Sequence, residues 1–199
     1  EQHFFDTIWH TESTVLRTAP TPMRMLSGLV KSHNYKVVLT GEGADEVLGG
    51  YDIFKEAKLR QFWAQQPNSK WRHLLLKRLY PYLDISTSKA QQYTQHFFGI
   101  GLDNPNAPCF SHLPRWDTTA KAKTFFSEER FSNLESEALS PMESSLPNEI
   151  KDWHPFNRSQ YLEAKSLMPG YLLCSQGDRM LMANSIEGRF PFLDHRVIE

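Results

Sequence analysis

From Thr21 to His33 the stretch TPMRMLSGLVKSH sets Met23, Leu26, Leu29 and Val30 at helical spacing behind a proline start, which predicts an amphipathic helix. The next run, YKVVLT (Tyr35 to Thr40), is short, apolar and β-branched, and predicts a strand buried on both faces. Glycines at 41 and 43 break the pattern before a second helix begins. Helix, strand, glycine turn and helix follow one another as in an α/β unit.

The remaining pattern is mostly helical. YDIFKEAKLRQFWAQQ reads as helix up to Pro67, and SKWRHLLLKRLYPYL as another, with Leu74, Leu75, Leu79 and Tyr82 available for one face. STSKAQQYTQHFFG carries a Ser88-to-Gln91 capping-box signature. Residues 99 to 155 are proline-rich and irregular around a short helix expected at Phe125 to Leu134. Helical periodicity returns in NRSQYLEAKSLM, stops at Pro169 and Gly170, and resumes in YLLCSQGDRMLMANSIE with Leu172, Leu173, Met180, Leu181 and Ala183 as packing residues. GRFPFLD closes that helix, and Asp194 is placed to cap the residues after it.

Composition narrows the function classes. The 199 residues are 40% hydrophobic, enough for a real core. The 22 Lys and Arg nearly balance the 23 Asp and Glu, so no bulk charge draws the chain to nucleic acid or anionic membrane. Cys109 and Cys174 lack metal-ligand spacing, which excludes a disulfide scaffold and fits a cytoplasmic protein. No run approaches the ~20 apolar residues a bilayer requires. The five tryptophans, Met180 and Met182 read as packing residues, and the basic run Lys70, Arg72, Lys77 and Arg78 as a solvated face. A chain that starts at Glu1 and stops at FLDHRVIE is expected to be a piece of a longer protein.

Two stretches carry candidate chemistry. In VVLTGEGADEVLGG, Thr40 and Gly41 fall at the carboxyl end of the strand, where open α/β sheets bind ligands and where small residues let a ligand approach the main chain. Glu42 and Asp45 project there, and carboxylates so placed need a metal, a proton or a cationic partner. A purely structural account is also open: Gly41 and Gly43 make a tight turn while Asp45 and Glu46 complement a helix dipole. In DRMLMANSIEGRFPFLDHR, the charges Asp178, Arg179, Glu187, Arg189, Asp194 and Arg196 alternate in an apolar setting, as structural ion pairs do. Arg179 also has the charge to border a polyphosphate.

Together, VVLTGEGADEVLGGY and DRMLMANSIEGRFPFLD resemble the synthetase domain of the glutamine-hydrolysing asparagine synthetases, and RTAPTPMRMLSGLV is similar to the helix before that family's strand. The resemblance implies an α/β, Rossmann-like domain of the adenine-nucleotide α-hydrolase type, here mostly helical with one clear buried strand. It implies that magnesium ATP activates the side-chain carboxylate of aspartate as β-aspartyl adenylate, which ammonia from an N-terminal glutaminase domain then attacks. Carried over by motif, Thr40 and Gly41 contact the nucleotide, Glu42 serves intermediate formation and ammonia attack, and Asp45 is a magnesium ligand. The chemistry is consistent, since a cation held by a carboxylate offsets charge on departing pyrophosphate and a glutamate can act as general base.

The resemblance also implies parts that are not in residues 1–199: the SGGxDS phosphate loop and the glutaminase domain with its nucleophilic cysteine. The chain by itself is therefore expected to be an incomplete enzyme. In SQGDR, Gln176 stands where the family has a lysine, which shifts the pyrophosphate-side charge to Lys165 or Arg179. It also keeps open a β-lactam-synthetase-like or secondary-metabolite amidotransferase acting on another carboxylate, and a non-catalytic nucleotide-binding relative. A homodimer is compatible with all three.

Overall fold

The computed structural model describes residues 2–15, 17–83, 87–129 and 140–199. In chain order their elements are helices α1 (Phe4–Thr11) and α2 (Pro20–Ser32), strand β1 (Val37–Leu39), α3 (Ala44–Leu48), α4 (Asp52–Ala64), and a 3₁₀ turn Arg72–Leu75 leading into α5 (Leu76–Leu79). Then come α6 (Ser88–Gly99), α7 (Leu113–Ala120), a 3₁₀ turn Lys121–Phe125, α8 (Ser140–Ser144), a 3₁₀ turn Asn148–Asp152 and α9 (Pro155–Ser166). A π-helix at Met168–Asp178, α10 (Arg179–Met182), β2 (Glu187–Arg189), a 3₁₀ turn Pro191–Leu193 and α11 (His195–Ile198) complete them. The chain forms two compact units, one from Glu1–Gly50 with Leu162–Glu199, the other from Tyr51–Tyr161.

The first unit holds the sheet. β1 and β2 pair in parallel, with Val37 opposite Glu187, Val38 opposite Gly188 and Leu39 opposite Arg189. The ladder extends at both ends, where Glu187 N donates to Lys36 O at 2.9 Å and Thr40 N to Arg189 O at 3.0 Å. This is an α/β arrangement, mostly helical with a small parallel sheet. The strand is not buried on both faces: Val37 and Leu39, which share a face, are 38% and 72% exposed. β2 lies partly inside the stretch expected to be helix up to Glu187. Glu-Gly-Arg has no intrinsic strand preference, so its conformation comes from the pairing that β1 offers.

The helices of this unit meet through polar contacts as well as apolar ones. Leu26 and Leu29, expected to form the packing stripe of α2, are exposed, whereas Ser27 is buried. The Ser27 hydroxyl donates to Met180 O at 2.6 Å, and Asn184 Nδ2 donates to Ser27 Oγ at 2.8 Å and to Arg24 O at 3.2 Å. Met180, Leu181, Ile186 and Leu172 supply the apolar burial. Met182 is exposed, as is Trp9, so neither is the packing residue that composition suggests.

The second unit packs Trp63, Leu76, Tyr80, Phe98, Leu102 and Phe110 into one core. Trp71, by contrast, is exposed. Helix α6 is capped one residue earlier than its sequence suggests, Thr87 Oγ1 accepting from Ala90 N at 3.2 Å. Of the helix expected at Phe125 to Leu134, positions 130–134 lie outside the described residues.

Beside that core is a buried ionic network. Glu56, fully buried, accepts Arg115 Nη1 at 2.9 Å, Arg115 Nη2 at 2.8 Å and the Tyr80 hydroxyl at 2.5 Å. Arg60, also fully buried, donates to the carbonyls of Phe98 and Phe110 at 2.9 Å each and to that of Ile100, and stacks over the Phe110 ring. Burial pulls the Arg60 guanidinium down to about 10, against the opposing pull of Glu56. Its three carbonyl acceptors keep the cation satisfied. Removing the anion leaves two guanidinium groups without their counter-charge, so Glu56→Ala is expected to cost about 3–5 kcal/mol. Urea unfolding of the parent protein checks this, and a change below about 1 kcal/mol would show the network to be dispensable.

Candidate functional site

Thr40, Gly41 and Glu42 follow β1 directly, and their setting comes from the turn into α3. Gly43, the residue before α3, has φ +92, a left-handed conformation that favours glycine. A Cβ there would overlap Leu193 Cδ2 of the 3₁₀ turn after β2, so the glycine also permits the close approach of the two post-strand segments. Ala44 N donates to Gly41 O at 3.1 Å, closing the turn. Gly41 itself is open, with nothing within 4 Å of an added Cβ.

Two polar atoms at this turn are buried without a partner: Thr40 Oγ1 and Glu42 Oε2. An unsatisfied buried carboxylate oxygen is expensive, and a native chain keeps such atoms where something else meets them. The other buried side-chain polar atoms lacking a partner among the described residues are Thr21 Oγ1, Arg24 Nε and Tyr171 Oη. All five belong to the first unit. Thr21, Arg24 and Tyr171 escape sequence reasoning because each sits at an unremarkable helical position whose burial only the fold decides.

The other expected site residues divide. Asp45, on α3, is exposed, and its carboxylate leans over Gly50, where a side chain would collide with it. Glu46 is buried and engaged, in keeping with the structural account of it. Arg179 is committed elsewhere. It donates to Thr11 O and, at 3.4 Å, to Ser13 Oγ, and its guanidinium lies 3.7 Å from the Glu12 carboxylate, all at the C-terminal end of α1. Lys165, in the last turn of α9, is half-buried and engaged. Gln176 is half-buried on the π-helix.

Two of the expected ion pairs form, both at the surface. Arg189 Nε meets Glu187 Oε1 at 2.7 Å, and Arg196 Nη2 meets Asp194 Oδ2 at 2.6 Å, with substantial exposure on every partner. Asp194 does cap α11, accepting from Arg196 N at 2.9 Å, and the Arg196 guanidinium holds its carboxyl below the usual range. Asp178 is exposed and has no ion pair among the described residues. Such pairs are worth little individually.

Among the described residues no three His, Cys, Asp or Glu side chains gather as a protein-only metal cage. Burial, followed by the charge of Glu143, pushes the Cys109 thiol up to about 11, so it is not a poised nucleophile. No described helix is long and apolar enough to cross a membrane. A strand end with an open glycine and two orphaned polar atoms, in an α/β unit, has the space and the unmet polar groups that a ligand would need.

The asparagine synthase family model matches residues 1–199, and the chain belongs to that family. Amidase chyE of Penicillium rubens is 32% identical over 98% of this chain and 30% of its own length. Amidase chry2 of Gibberella zeae is 28% identical over the same shares, and asparagine synthetase [glutamine-hydrolyzing] 1 of Bacillus subtilis is 27% identical over 96% of this chain and 28% of its own. The chain thus spans about 30% of the length of these curated relatives. No solved structure matches.

Gly43→Ala combines an unfavourable φ with an overlap on Leu193 and is expected to destabilise the first unit by about 1–3 kcal/mol. Thermal unfolding of the parent protein measures it, and an unchanged midpoint would mean that the turn reshapes freely.

Proposed function

We propose that residues 1–199 are part of the synthetase domain of a longer amidotransferase that uses ATP to amidate a carboxylate. The observation that carries the reading is the pair of buried, unpartnered atoms, Thr40 Oγ1 and Glu42 Oε2, at the carboxyl end of β1 beside the open Gly41. These residues fit a polar ligand: Thr40 would hydrogen-bond the nucleotide, Gly41 would let it reach the main chain, and Glu42 would face the reacting carboxyl. Asp45 fits magnesium, which is commonly held by one or two protein carboxylates together with substrate phosphates. ATP supplies the adenylyl group that makes the carboxylate electrophilic, and magnesium offsets the phosphate charge.

In this reading the acceptor is aspartate, activated as β-aspartyl adenylate and attacked by ammonia that a glutaminase domain of the same parent chain releases from glutamine. Glu42 takes the proton that the attacking nitrogen sheds, its buried Oε2 having no partner among the described residues. The SGGxDS loop would complete the nucleotide site from outside residues 1–199. Lys165 and Arg179 are weaker candidates for the pyrophosphate side, since both are already engaged.

A second reading changes only the acceptor. The relatives named amidases reach 32% and 28% identity while the Bacillus subtilis asparagine synthetase reaches 27%, and the motif resemblance puts Gln176 where the family usually has a lysine. Both facts support a secondary-metabolite amidotransferase acting on a carboxylate other than aspartate.

In the full-length parent, Glu42→Gln is expected to lower turnover by about 10²- to 10⁴-fold, the usual worth of a general base, with magnesium ATP affinity nearly unchanged. Product formation at the wild-type rate would remove Glu42 from the mechanism. Carboxylate-dependent exchange of labelled pyrophosphate into ATP separates the two readings: exchange with aspartate supports the first, and exchange confined to larger carboxylates supports the second.

A further inference from the structure

The segment Met168–Asp178 is an eleven-residue π-helix, far beyond the single widened turn that π geometry ordinarily occupies. Its register changes at one place: Tyr171 N donates to Leu167 O at 3.2 Å, and Leu172 N then donates to the same carbonyl at 3.1 Å. It persists to the end, where Arg179 N donates to Cys174 O. A run this long survives only if its surroundings over-determine it.

Three features do so. Gly177 is the first. A Cβ on it would stand 2.8 Å from Leu172 O, a main-chain atom that cannot swing away, so the wide register at this point requires glycine. Ser175 is the second, its hydroxyl donating to Gly170 O at 3.1 Å, five residues back, and meeting Ser13 Oγ at 3.1 Å. The third is Arg179, at the C-terminal end of the run, tied to Thr11 O, Ser13 Oγ and Glu12. One short segment, residues 11 to 13, therefore holds both Ser175 and the end of the π-helix.

We propose that this latch is a positioning device for the candidate site: Ser13, Ser175 and Arg179 hold the π register, and the register sets where Gln176 and Asp178 stand. The inference rests on the reading of this unit as an ATP-dependent amidating site. Closing the same residues as an α-helix would rotate everything after Leu172 about the helix axis and change how the segment meets β2, the strand whose Arg189 carbonyl accepts from Thr40 N. Arg179 is then a positioning residue acting through the helix rather than a phosphate ligand.

The test uses the full-length parent and two glycines of the same helix. Gly177→Ala opposes the π register while favouring an ordinary α-helix. Gly170→Ala is the internal control, because its added Cβ meets nothing within 4 Å. The expected result is that Gly177→Ala, whose Cβ meets the Leu172 carbonyl, melts below the wild type and loses about 10²-fold in kcat, the cost of ångström-scale misplacement, while Gly170→Ala keeps the wild-type melting temperature and kcat. If Gly177→Ala does not fold, Ser13→Ala and Arg179→Lys are expected to lower kcat with KM for ATP nearly unchanged, and to speed amide exchange across 172–179. Wild-type kcat in Gly177→Ala, or a rise in KM for ATP without loss of kcat in Arg179→Lys, overturns the proposal. Should the wild type itself release no pyrophosphate from ATP, the amidation reading fails. Amide exchange then decides the latch alone, and unchanged protection of 172–179 in Ser13→Ala and Arg179→Lys refutes it.

Discussion

The parallel pairing of Val37–Leu39 with Glu187–Arg189 is the constraint on which the first unit depends. It joins stretches from opposite ends of the chain, and its last bond, Thr40 N to Arg189 O, fixes the residue at which the candidate site begins. Because the pairing ends there, the chain is free to turn at Gly41 and Gly43, and Gly43 brings that turn against Leu193 just after β2. Both post-strand segments are thus set by one short ladder. Three residues of strand are a small platform, which is why the neighbouring helices must be held in position by something more specific than apolar contact.

That role falls to polar side chains, and the two units handle them differently. In Tyr51–Tyr161 the buried charges are closed off: Glu56 is met by Arg115 and Tyr80, and Arg60 by three carbonyls and an aromatic face. In the other unit five buried polar atoms have no partner among the described residues. A fully satisfied network rigidifies and holds no chemistry in reserve, whereas orphaned donors and acceptors are costs retained where a ligand offsets them. This contrast, more than the presence of acids as such, marks the first unit as the one with buried polar atoms left for a ligand to meet.

Much of this arrangement was legible in the sequence. The α2 helix, the strand after it, the glycine turn and the cap at Asp194 follow from local chemistry, and the structure has each of them. What depended on distant partners was not. Glu-Gly-Arg becomes a strand only because β1 lies beside it, and Ser27 is buried while Leu26 and Leu29 are exposed because Met180 and Asn184 offer hydrogen bonds on that side. The same limit applies to Arg179. Its charge was readable, but its commitment to the end of α1 arises from tertiary contact and from a π register that no 3.6-residue period announces.

The polar seams explain why such a small sheet can support defined geometry. Apolar contact is non-directional and leaves the rotation of a helix to shape complementarity alone. A hydroxyl bonded to a named carbonyl does not: Ser27 on Met180 O fixes α2 against α10, and Ser13 on Ser175 fixes the end of α1 against the π-helix. Each bond adds only about 1 kcal/mol in net stability, but losing its geometry leaves a buried group unsatisfied at greater cost. Rotational freedom is therefore removed bond by bond, in the unit that also holds the turn at Thr40 to Glu42. Stability in this unit is concentrated in orientation, the property a reacting site needs and a purely apolar core would not provide.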